Sequence, residues 1–321
     1  MKILFIVMVL IFFTKLFSIP IQLVNNGKQY QIYDSSTQKE IDLDELVEKI
    51  SEFDITFFGE FHDDAILHVL EVEILPLLLD IDKNLSISME MFERDIQKYL
   101  TQYLKGSISE KEFLENSRPW PNYQDDYKPI IEFAKEHKID VIAANVPRRY
   151  ASMVNKKGSQ AFENIPDDEK QFVASELKVL DNAYKKTFIK TMQSLSKSKM
   201  APHMAKMKDN IYAAQCLKDD TMAESMYNYL KKNPKKKIIH YNGDFHSNSH
   251  LGTAQKLQLL NKKLKICVIT PIEWEENTEF VFPEDRNSEG DFLISVIRPK
   301  DEGEIKMEKK IEMKMKGKMN K

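Results

Sequence analysis

Cysteine is almost missing from this chain: Cys216 and Cys267 are the whole complement. They either pair in an oxidising compartment or lie buried as free thiols. Neither follows the N-terminal hydrophobic region, which excludes a lipid anchor on a processed N-terminus. Long apolar runs are lacking as well. After the leader, no stretch approaches the roughly 20 apolar residues of a membrane span. No serine or cysteine nucleophile motif occurs, which argues against covalent acyl chemistry. Charge of one sign is lacking too, since 47 Lys and Arg against 50 Asp and Glu leave a net charge of -3. That balance argues against general nucleic-acid binding. Internal repeats are absent.

What is present begins with a leader. Lys2 precedes an apolar run over residues 3–13, and Lys15-Leu16-Phe17-Ser18 follows. The run is short for a span and reads as a signal peptide over 1–18 ending near Ser18, with an uncleaved anchor as the rival reading. With 321 residues, 42% of them hydrophobic and 30% charged, the chain can bury a large core, in one sizeable domain with a helical elaboration or in two domains.

The pattern after residue 20 is that of an α/β protein. Residues 21–24 and 29–33 flank Asn25-Asn26-Gly27, which is hairpin chemistry, and residues 41–53 read as a helix. Short apolar runs at 55–58, 85–89, 141–144, 238–241, 266–270 and 292–297 alternate with helical patterns. This predicts a mainly parallel sheet flanked by helices and joined by right-handed crossovers. Two stretches, 99–127 and 158–209, are too long and polar for simple crossovers, with a broken segment at 194–202. They are expected to form a helical insert over the carboxyl edge of the sheet. The domain spans 19–299, and the Lys-, Glu- and Met-rich tail over 300–321 reads as disordered.

Chemistry-bearing residues collect at the predicted strand ends. The run Phe57-Phe58-Gly59-Glu60-Phe61-His62-Asp63-Asp64 is a buried strand entering a helix, with Asp63 or Asp64 as the N-cap. Glu60 and His62 alternate by two and so point to one side while the chain stays extended. His68, six residues on, can look back at the same cleft. The next strand ends in Glu90, and the next delivers Asn145, Arg148, Arg149 and Tyr150. The fourth ends Asn242-Gly243-Asp244-Phe245-His246, an echo of the first. Open α/β sheets place ligands at this edge. Taken alone, each of these residues is equally at home as a cap or a satisfied loop side chain. Together the four strand ends present Glu60, His62, Glu90, Asn145, Arg148 and His246 to one region.

The joint order of Gly59-Glu60-Phe61-His62 with His68, Met89 to Gln97, Asn145-Val146-Pro147-Arg148, Ala214-Gln215, Asp220-Thr221-Met222-Ala223 and Gly243 with His246 resembles the ChaN family of haem-binding iron-uptake proteins. That family is related to Tiki metalloproteases and erythromycin esterases, and the likeness covers about residues 21–275. It implies a haem-binding protein of iron uptake or storage, with an outer-membrane haem receptor system as a partner. For the Gram-negative source it implies, the leader places the protein in the periplasm. Lipid-anchored relatives carry an N-terminal cysteine that this chain lacks. Ferric haem needs an axial ligand, an apolar slot and cations for its propionates. Tyr150 is the first expected ligand, with Arg148 and Arg149 favouring its phenolate. His203, beside Met204, and then Tyr212 come next. A flat macrocycle has two faces and one groove covers one, so a homodimer is expected when haem is bound. The wider relationship implies as the alternative a metal-dependent hydrolase, in which Glu60, His62, Glu90 and His246 hold zinc or manganese that activates water, or Glu60 and His62 act as a base pair without metal.

Overall fold

The computed structural model describes residues 29–195, 202–274 and 278–298, with the side chains of 193–195 and 202–206 excepted. In chain order the elements are β1 (Tyr30–Asp34), β2 (Lys39–Ile41), α1 (Leu43–Ile50), β3 (Ile55–Glu60), α2 (Ala65–Ile81), β4 (Leu85–Glu93), α3 (Gln97–Leu104), α4 (Glu110–Ser117) and α5 (Lys128–His137). They continue with β5 (Val141–Asn145), α6 (Arg148–Lys157), α7 (Ala183–Leu195), α8 (Pro202–Lys232), β6 (Lys237–Gly243), α9 (Gly252–Leu260), β7 (Ile266–Trp274) and β8 (Phe292–Ile297).

One sheet has the order β2-β1-β8-β7-β3-β6-β4-β5. Every pair from β8 to β5 is parallel, and only β1 and β2 run against their neighbours. This is the expected mainly parallel α/β fold, and its six parallel strands are the six apolar runs of the sequence. A sheet covered by helices on both faces buries successive side chains in opposite layers. Phe58 joins the core with Leu67, Ile74 and Ile239, whereas Phe57 joins Met222, Met226 and Val268 on the other side. By the same alternation Glu60 leaves β3 on the Phe58 side, toward α2. The helix is started by Asp64, whose carboxylate accepts from the Ile66 and Leu67 amides at 3.0 Å each.

Two expectations need correction. The strand predicted over 29–33 exists as β1, but its hairpin partner is β2. Asp34 closes the turn by accepting from the Ser36 amide at 2.8 Å, and Gln38 takes a left-handed φ of 58°. Both edges of β1 are filled, by β2 and β8. The other expected hairpin strand, 21–24, and its Asn25-Asn26-Gly27 turn lie outside the described residues. Among the described residues of the insert over 158–209, α-helix is found only in Ala183–Leu195 and from Pro202. Before Ala183 the insert runs through short 3-10 turns and irregular chain, anchored by few buried side chains such as Ile165, Val173 and Ala174. The break between α7 and α8, the leader and the tail lie outside the described residues.

Candidate functional site

Three strand ends converge at the carboxyl edge, where β3 ends in Glu60, β6 in Gly243, and β4 carries Glu90 near its end. Glu60 is 1% exposed, and its Oε1 meets His62 Nδ1 at 2.5 Å and accepts from the Tyr127 hydroxyl at 2.7 Å. The His62 side chain is 45% exposed and stands edge-on to Trp120, so the cluster opens to solvent there. Burial would depress the His62 pKa, but the bond to Glu60 and the charge of Glu90 raise it. Glu90 accepts from the Gly243 amide at 2.9 Å through Oε2 and faces His246 Nε2 at 3.1 Å through Oε1. His246 Nδ1 lies 2.6 Å from Asp219 Oδ1, which also accepts from the Thr253 hydroxyl at 2.8 Å. Burial opposes charge on His246, yet Glu90 and Asp219 outweigh it and push the imidazole up to about 9. Burial would raise Glu90, and His246 holds it well below the usual range instead.

The two histidines are thus oriented alike. Each has a carboxylate on Nδ1, Glu60 for His62 and Asp219 for His246, which turns its Nε2 toward the Glu90 side. Gly243 makes the approach possible. A Cβ there would lie 2.7 Å from His62 Nε2 and 3.6 Å from Glu90 Oε2. Chemically this is a pair of carboxylate-oriented imidazoles around a third carboxylate, a set able to move protons or to hold a divalent ion.

Glu60 does not serve this cluster alone. Its Oε2 faces α2, where His68 Nδ1 lies 3.7 Å away and Glu71 Oε2 lies 2.9 Å beyond that nitrogen. His68 therefore does look back at the site, through its Nε2 on the His62 carbonyl at 3.2 Å. Burial first and Glu60 second drive the Glu71 pKa well above the ordinary carboxylate value.

The remaining predicted residues lie elsewhere. Asn145 is spent as a brace, donating to the Glu90 carbonyl at 3.0 Å and accepting from the Val146 amide at 2.8 Å. Tyr150 opens α6, 6% exposed, with its hydroxyl donating to Glu169. Arg149 stacks on its ring at 4.7 Å and pairs with Asp95 and Glu169, while Arg148 is exposed. Burial and the bond to Glu169 raise the Tyr150 pKa, outweighing Arg149, which does favour the phenolate through a hydrogen bond and its charge. Tyr212 is 1% exposed, donates to the Leu180 carbonyl at 2.7 Å, and is a core residue packed on Phe188. His203 and Met204 stand in the first turn of α8, and their side chains lie outside the described residues.

Sequence reasoning missed Glu71, Tyr127 and Trp120, and gave Asp219 no role. Two of these had a signal: His68 and Glu71 are three apart and Gln215 and Asp219 four apart, each pair on one helix face. Tyr127 and Trp120 come from the 99–127 insert, whose path over the edge no local pattern announces.

Against known proteins, the family model described as haem-binding uptake, Tiki superfamily, ChaN matches residues 46–257. Among solved structures, ChaN of Campylobacter jejuni, described for its cofacial haem binding, superposes with a TM-score of 0.65 at 19% identity, covering 85% of this chain and 98% of that one. That likeness speaks for the fold. An erythromycin esterase in its open conformation gives a TM-score of 0.44 at 13% identity, covering 84% of this chain and 83% of that one. The chloroplastic protein RETICULATA-RELATED 5 of Arabidopsis thaliana is 27% identical over 143 residues, 40% of this chain and 19% of that protein. The chain thus matches about a fifth of the length of that curated relative.

Proposed function

This chain belongs to the ChaN family of haem-binding uptake proteins in the Tiki superfamily, and from that premise we propose that it binds ferric haem through the phenol of Tyr150. The observation that carries the choice of residue is the setting of that phenol. It heads α6 with its hydroxyl already on a carboxylate, Glu169, and with Arg149 against its ring and Arg148 exposed beside it. Ferric haem supplies a Lewis-acidic iron that takes an anionic oxygen, and two carboxylates that guanidinium groups can hold. The donor set fits that group. The phenol keeps its proton in the free protein and donates it in a hydrogen bond to Glu169, whose carboxylate that bond first and then Arg149 hold ionised; on taking iron the phenol would release the proton to solvent. His203, with Met204 beside it, is the proposed second contact.

The biological reading follows as part of the same proposal: uptake or storage of haem iron in the periplasm, delivered by an outer-membrane haem receptor system after removal of the leader. The Campylobacter jejuni protein binds haem cofacially, and a second copy of this chain covering the other face of the macrocycle is the corresponding arrangement here.

The test is Tyr150→Phe. The ring keeps its packing and only the oxygen is lost, so haem affinity should fall at least tenfold while the thermal midpoint stays close to that of the parent. Full affinity with an unchanged charge-transfer band, which only another phenolate gives, would move the ligand to a second tyrosine such as Tyr212, and full affinity with that band lost would move it to His203. A second reading is favoured by one observation, the carboxylate-oriented pair His62 and His246 on either side of Glu90. In that reading the strand-end set holds zinc or manganese and activates water, independently of haem on α6.

A further inference from the structure

Below the strand-end histidines, three ligand-type atoms converge on a point that neither reading uses. His68 Nδ1 lies 2.9 Å from Glu71 Oε2 and 3.7 Å from Glu60 Oε2. The three residues are 5%, 0% and 1% exposed respectively. The tautomer of His68 follows from its other nitrogen. Nε2 sits 3.2 Å from the His62 carbonyl, which can only accept, so Nε2 carries a proton and Nδ1 can turn a lone pair toward the two carboxyl groups. On Glu60, Oε1 is taken by Tyr127 and His62, while among the described residues Oε2 meets no nitrogen or hydroxyl donor and has only the Glu71 carboxyl as a hydrogen-bond partner. Glu71 Oε1 likewise meets no nitrogen or hydroxyl donor among the described residues. More acid surrounds them: Asp126 Oδ2 is 3.6 Å from His68 Nε2, and Asp64 is buried at the head of the same helix. Arg298 lies on the far side of Asp64, with its Nε 3.7 Å from Asp64 Oδ2.

Buried lone pairs facing one another are costly unless something positive lies between them. The spacing fits a metal ion. For oxygen and nitrogen donors at about 2.1 Å, the ligand-to-ligand edge of a tetrahedral site is about 3.4 Å, between the two separations seen. The surroundings fit too, since the second oxygen of Glu60 and the second nitrogen of His68 are each fixed by a hydrogen bond, as in built metal sites.

We propose that Glu60, His68 and Glu71 form a buried site for a first-row divalent cation, distinct from the His62, Glu90 and His246 set. Oxygen and imidazole donors without thiolate suit Zn²⁺ or Mn²⁺. The ion ties β3 to α2 and fixes Glu60, which in turn orients His62.

The experiment uses the full-length, haem-free chain, stripped with chelator and titrated with MnCl₂ or ZnCl₂ by calorimetry. Pulsed EPR on the Mn²⁺ form counts coupled nitrogens in the wild type. The expected result is a cation coupled to one imidazole nitrogen, with affinity reduced at least tenfold by Glu71→Gln or His68→Gln and retained in Glu90→Gln. Absence of any uptake by the wild type would overturn the proposal and leave a shared proton between the carboxyl groups. Coupling to two nitrogens, or uptake lost in Glu90→Gln and kept in Glu71→Gln, would overturn it by placing the ion on the strand-end histidines. Because nitrogen counting needs no variant, a substitution that unfolds the chain does not obscure the answer, and either outcome leaves the haem reading intact.

Discussion

His246 is held between two carboxylates inside the protein, and that arrangement has a thermodynamic signature. Burial opposes its charge, but Glu90 and Asp219 carry the pKa from the ordinary 6.5 up to about 9. A group raised on folding contributes stability that is fully present below its unfolded pKa and is lost as pH rises through the folded one. The shift corresponds to roughly 3 kcal/mol. Stability should therefore decline between about pH 6.5 and 9, and Asp219→Asn should flatten that decline, read from urea midpoints across the range. A slope that survives Asp219→Asn unchanged would contradict the assignment. The residues of this cluster divide by how they were found. Glu60, His62, Glu90 and His246 were legible because each follows an apolar strand, and parallel strands end on a common edge. Tyr127 and Asp219 were not, because they reach the cluster from helical segments over distances of 67 and 27 residues. The state of Tyr150 was not legible: the adjacent arginines are visible in sequence, whereas its burial and then its bond to Glu169, which together keep the phenol protonated, are not.

At the scale of elements, the junction of β6 with its following turn matters most. Gly243 has an ordinary φ of -54°, so alanine is tolerated by the backbone there. What it lacks is room, since the new Cβ would lie 2.7 Å from the His62 ring. That ring is partly exposed and free to swing away, so Gly243→Ala should cost about 1 kcal/mol or less, below the usual range for overpacking. The displaced imidazole should lose Glu60, and its pKa should fall toward the ordinary value, as followed by its NMR titration. An unmoved titration would mean that Gly243 does not set the approach of the two dyads. Element identity was readable wherever burial on both faces made continuous apolar runs, as in β3, β6 and β7. It failed where local signals were weak. Lys39–Ile41 is too short and polar to announce a strand, and the turn that joins it to β1 is built by Asp34 through its own side chain. The 158–182 stretch has helical spacing but too few apolar anchors to hold a helix against its turns.

For the whole molecule, the strand-end cluster and the α6 phenol are separate features of one α/β fold. The haem reading places the ligand on α6 and its neighbours and leaves the carboxylate and imidazole groups of the edge free for an ion or for proton transfer. The most direct measurement is an optical titration of the full-length wild-type chain with hemin. The account predicts a Soret band that saturates at one haem per chain, with the charge-transfer features of a tyrosinate-bound ferric iron. Absorbance that climbs without saturation, and without a shift from that of free hemin, would contradict it.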